Sequence, residues 1–116
     1  MKKTLQEKIT EHHTDNIYSV RKPDLDDILQ NSTTEEVIFH GKEMIISFKL
    51  PCGFTISGRS AVVNPEKFDI NIGRLICYEN AIDQLWLLEG YRMQWKLYLD
   101  QLRKSSDIQD KESSNK

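Results

Sequence analysis

Positions 43–50 read EMIISFKL, which places Met44, Ile46, Phe48 and Leu50 on one side of an extended strand and Ile45, Ser47 and Lys49 on the other. The run at 54–63, FTISGRSAVV, returns as its hairpin partner after the compact turn Pro51-Cys52-Gly53. A third strand-like stretch, EVIFH at 36–40, leads into the first through a turn at Gly41 and Lys42. This pattern predicts a small antiparallel sheet of about three strands built around a central hairpin.

Helical periodicity governs both flanks. Leu5, Ile9, His12 or His13, and Ile17 fall at helical spacing as a thin apolar stripe in 4–20, predicting a short N-terminal helical region. Pro23 suits the first turn of a following helix that ends by Asn31. Asp24, Asp26 and Asp27 then stand near its positive end, and Leu25, Ile28 and Leu29 form its apolar patch. Asn64-Pro65-Glu66 is a helix start, and Asp69 is placed to cap the main C-terminal helix. From 70 to 103 there is no proline, and Ile72, Leu75, Ile76, Ile82, Leu85, Trp86, Met93 and Leu97 mark the expected core-facing stripe. A straight helix of that length would reach about 50 Å, so a break near Gly90 is expected. Trp95, Leu99 and Leu102 beyond it predict a second packing surface, suited to a partner subunit. The reading is an α+β fold with one domain over 1–104 and a polar tail, 105–116, without order of its own.

Composition narrows the function. Sixteen basic against eighteen acidic residues give a formal charge of −2, without the summed positive field that drives non-specific nucleic-acid binding. The two cysteines, Cys52 and Cys77, lack C-x-x-C spacing and read as free thiols. No run suits a signal peptide or a membrane span, so a soluble intracellular protein is expected.

Within the third strand, Gly58, Arg59 and Ser60 interrupt otherwise good strand chemistry. Alternation sets Arg59 on the polar face with Thr55 and Ser57, away from Phe54, Ile56, Gly58 and Ser60. A bare glycine there admits a ligand or another backbone at close range, or marks a bulge. An arginine with hydroxyls beside bare backbone is a candidate phosphate seat, and a solvated arginine is the plain alternative. Glu79 and Glu89, near the apolar stripe, call for Arg74 or Arg92 as ion-pair partners; about 15 Å apart along a helix, they do not suit a glycosidase pair. His12-His13 lacks the spacing of a helical metal site. Without a nucleophile elbow, a Walker loop or a dinucleotide fingerprint, no enzyme, metal or cofactor is expected. Tyr78, Trp86, Tyr91, Trp95 and Tyr98 interleave with Arg74, Arg92 and Lys96, a mixture suited to packing or to stacking on a base.

Gly53-Phe54, Gly58, Asn64-Pro65, Phe68-Asp69, Ile72-Gly73-Arg74, Glu79-Asn80-Ala81 and Trp86-Leu87-Leu88-Glu89-Gly90-Tyr91 together resemble a family of small tailed-phage proteins named after gene products 49 and 66. Arg59 departs from the acidic residue that many members carry there. The family is similar to the Thoeris anti-defence proteins, sponges that bind cyclic ADP-ribose-type immune signals without cleaving them. That resemblance implies a homodimer or higher homo-oligomer in the cytoplasm of the infected bacterium, sequestering a cyclic nucleotide. It further implies that Arg59 with Ser60, Arg74 or Arg92 would pair with phosphates and that Asn80 would bond a base or ribose. Phe68 or Tyr78 would stack, and His12 and His13 would line a second anionic site. The other reading is a small phage interaction protein that engages a host or phage protein through its aromatic C-terminal helix.

Overall fold

The computed structural model describes residues 17–114, with side chains as far as Ser106. The expected helix over 4–20 lies mostly outside them, as do His12 and His13. The elements run α1 (Lys22–Gln30), β1 (Thr33–Phe39), β2 (Glu43–Lys49), β3 (Thr55–Ala61), a 3-10 turn (Pro65–Lys67) and α2 (Ile70–Ser114). The described residues fall into two compact units: Arg21–Leu88, and a second that joins Glu89 onward with residues 17–20.

In the first unit, the strands form the expected antiparallel meander in the order β1-β2-β3. The register pairs Ile45 with Val37 and Arg59, and Ile46 with Glu36 and Gly58. Local chemistry sets both turns. His40 and Gly41 adopt φ of 55° and 66°, and the Lys42 N–H closes on the Phe39 carbonyl at 3.0 Å. At the other end Pro51 opens the turn and Gly53, at φ 97°, takes the left-handed position, with its N–H on the Leu50 carbonyl at 2.8 Å. Strand alternation holds as read: β2 and β3 bury Met44, Ile46, Phe48, Ile56 and Ser60 on one face.

Helix starts follow their caps. The Asn64 side chain accepts from the Glu66 N–H at 3.0 Å. Asp69 Oδ1 accepts from the N–H groups of Asn71 and Ile72 at 2.9 and 3.2 Å, nucleating α2 where expected.

The face that α2 buries keeps only Ile82 and Leu85 of the expected stripe. Gly73, Cys77, Ala81 and Leu85, one row at four-residue spacing, are buried with Ile82. Ile72, Leu75, Ile76 and Trp86 are exposed, Trp86 to 41%. Small side chains win the inner row because they let the helix axis approach the sheet. A Cβ on Gly58 would stand 2.0 Å from the Cys77 carbonyl oxygen, so only glycine fits beneath that turn. Leu25 and Leu29 of α1 complete this core, and Tyr78 ties α1 to α2 by donating to Asp26 Oδ1 at 2.9 Å.

The expected break at Gly90 does not occur: α2 is one helix through that residue. Its glycine penalty of about 1 kcal/mol is small against a run of good helix formers, and a Cβ there would meet no described residue within 4 Å. The helix also continues to Ser114, past the point where order is expected to end, with no proline or glycine after Gly90 to stop it.

In the second unit, Tyr18 donates to Asp100 Oδ2 at 2.7 Å while the Lys96 ammonium sits 5.8 Å from its ring centroid. The hydrogen bond to Asp100 and partial desolvation push the Tyr18 hydroxyl above its ordinary pKa. Tyr91, Trp95 and Tyr98 form an edge-to-face ladder with centroid spacings of 6.2 and 5.7 Å.

Candidate functional site

Arg59 lies on the uncovered face of the sheet, as its alternation predicts, and borders a depression of about 300 Å³ lined by His40, Lys42, Glu43, Arg59, Ala61, Val62 and Val63. Two turns of logic assemble it. The tight turn after β1 delivers His40 and Lys42, and the β2–β3 register sets Glu43 beside Ala61, two residue pairs from Arg59 and so on the same face of the sheet. Arg59 Nε donates to Glu43 Oε2 at 2.5 Å. Both Nη groups are left without a partner among the described residues. Because Arg59 is well exposed, this pair contributes little to stability, and a multiply charged anion would compete with it. The depression thus combines a guanidinium, an ammonium and an imidazole with one carboxylate acceptor. Such a lining suits a ligand that carries both negative charge and hydroxyl donors.

Glycine 58, beside that arginine, serves a different purpose. Its missing Cβ makes room for the backbone of α2, not for a ligand. The same approach brings two helix side chains to the outer edge of β3. Asn80 Oδ1 accepts from the Arg59 backbone N–H at 3.3 Å, and Gln84 Nε2 donates to the Ser57 carbonyl at 2.5 Å. Asn80 therefore closes a sheet edge through its amide oxygen.

The remaining candidates do not gather around Arg59. Ser60 is 6% exposed on the opposite, helix-covered face, because strand alternation turns successive side chains to opposite sides. Arg74 Nε bonds Glu36 at 2.9 Å across the inner face of β1. Phe68 packs beside Gly73, its ring edge 3.5 Å from where a Cβ there would stand. Tyr78 is half-buried, and desolvation, then its bond to the Asp26 carboxylate, pushes its hydroxyl above the ordinary value. Arg92 belongs to the second unit, where Nε and Nη2 hold Glu89 Oε2 at 3.0 and 2.7 Å, the pairing its sequence position calls for. Glu79 is exposed on α2 and makes no ion pair among the described residues.

Sequence reasoning missed His40, Lys42 and Glu43. The only signal for them was the hairpin register, which sets position 43 across from 61 and becomes readable once both turns are fixed. Both cysteines are free. Cys77 is buried with its thiol toward the Met44 carbonyl at 3.7 Å, and burial pushes its pKa up, away from nucleophilic use. Among the described residues, no cluster of His, Cys, Asp and Glu suits a metal ion, and no helix is long and apolar enough to cross a membrane.

Comparison with curated proteins and with solved structures gives no match. Residues 3–97 match the model of the phage protein family named for N4 Gp49 and phage Sf6 gene 66. That span takes in α1, the whole sheet and most of the ordered length of α2, and on it the chain belongs to the Gp49/gene 66 family of phage proteins.

Proposed function

We propose that this phage protein is a non-enzymatic binding protein that sequesters a cyclic nucleotide immune signal of the cyclic ADP-ribose type and so blocks host antiviral defence. The convergence of Arg59, Lys42 and His40 with Glu43 on one depression carries the reading. Phosphates of such a ligand would meet Arg59 and Lys42, and a ribose hydroxyl would donate to Glu43. The resemblance to anti-defence sponges points the same way.

A second reading is favoured by one observation in the other unit. Tyr91, Trp95 and Tyr98 are 65%, 47% and 48% exposed along one ladder, the residue types that dominate protein–protein hot spots. Here the protein would act by engaging a host or phage protein through that helix.

One experiment separates the two. The purified protein is incubated with cyclic nucleotides and cyclic ADP-ribose isomers, freed of unbound ligand and heat-denatured, and the released material is identified by mass spectrometry. An intact cyclic nucleotide supports the sponge, and a cleaved product refutes binding without catalysis. A folded sample that retains nothing leaves the protein-partner reading.

A further inference from the structure

The two outer edges of the sheet are finished differently. At β3, Asn80 and Gln84 occupy the outward backbone groups of Arg59 and Ser57. At β1, no hydrogen bond from a described residue reaches the outer edge. Leu50 and Val62 donate across the β2–β3 pair, to Phe54 and Lys42, so even-numbered residues of β2 bond β3 and odd-numbered ones bond β1. By that alternation Thr34, Glu36 and Ile38 turn their N–H and C=O groups outward. All seven residues of β1 are exposed, including Val37, Ile38 and Phe39. The strand pairs without a bulge and contains no proline or lysine, the devices that blunt free edges. Its charge is one-sided as well. Glu36 is held by Arg74, whereas Glu35 makes no ion pair among the described residues.

We infer that the outer edge of β1 is a docking site for an extended segment of a partner protein, which adds as a fourth strand through Thr34, Glu36 and Ile38. This segment carries a lysine or arginine that meets Glu35 and apolar side chains that meet Val37 and Phe39. A second copy is the poorer occupant: β1, TTEEVIF, has no basic residue and would bring two further glutamates to the seam. The inference is independent of the ligand reading, since none of the residues lining the depression belongs to β1.

The test uses two labelled synthetic peptides, one alternating valine with lysine and the other valine with glutamate. Binding is followed by anisotropy and amide hydrogen exchange. The lysine peptide is expected to bind the wild type and slow exchange at Thr34, Glu36 and Ile38, and Glu35→Lys is expected to transfer the preference to the glutamate peptide. Thr34→Pro removes an outward N–H but no bond to β2, and is expected to weaken binding about tenfold. Absence of binding, protection confined to other segments, or an unchanged preference in Glu35→Lys would each overturn the inference. So would a peptide-free dimer that protects the same amides, because the edge would then belong to a second copy.

Discussion

Gly58 of β3 lies directly under the carbonyl of Cys77 in α2, so close that a Cβ at position 58 would stand 2.0 Å from that oxygen and 2.6 Å from its carbon. Both obstacles are backbone, and neither rotates away. Gly58→Ala is therefore expected to lift α2 off the sheet and destabilise the fold by about 3 kcal/mol, read as a shift of the urea midpoint. A variant with wild-type stability would mean that the helix does not sit this close.

The same closeness makes Asn80 and Gln84 edge closures. Asn80→Ala and Gln84→Ala should each lower stability by about 1 kcal/mol in urea unfolding, and faster amide exchange should appear at Arg59 in the first. Either variant keeping its full stability would show that the β3 edge closes without that side chain.

Tyr78 predicts a pH effect. Its hydroxyl is held above the ordinary value of 10.0 by desolvation and by Asp26. The folded state thus keeps a proton that the unfolded chain has begun to lose. Stability from this group is complete below pH 10 and falls as pH rises through the higher folded value. Comparing unfolding of wild type and Tyr78→Phe across alkaline pH should show a shallower loss in the variant. Parallel curves would remove Tyr78 from the account.

Trp86 reads from sequence as core but is 41% exposed. Trp86→Ala should consequently fold, with a loss of about 1 kcal/mol in place of the larger loss a buried tryptophan brings. Failure to fold would show that a larger surface than the structure indicates depends on it.

These residues show where sequence reading succeeds. The turn at Gly53, the caps at Asn64 and Asp69 and the alternation through Arg59 are local, set within a few residues, and each was legible. Which face of α2 meets the sheet was legible only at Ile82 and Leu85, because the choice depends on how near the helix must come. Large apolar residues advertise a stripe, while Gly73, Cys77 and Ala81 form the actual seam by their smallness. Asn80 illustrates the same limit for the site. Its amide suits a base and a β-strand edge equally well, and the bond from the Arg59 N–H to its Oδ1 appears only in three dimensions. The polar face that carries Arg59 was legible, but its neighbours Lys42 and Glu43 come from a register that spans two turns.

Ligand binding through Arg59 is tested most directly by calorimetry of the retained cyclic nucleotide against Arg59→Ala and Arg74→Ala. The two arginines carry the same charge, and each holds one glutamate through Nε, but only Arg59 borders the depression. Arg59→Ala is expected to weaken binding by about 1–3 kcal/mol, while Arg74→Ala binds as the wild type and loses only a little thermal stability. Full affinity in Arg59→Ala together with lost affinity in Arg74→Ala would contradict the assignment and move the site to the helix-covered side of the sheet.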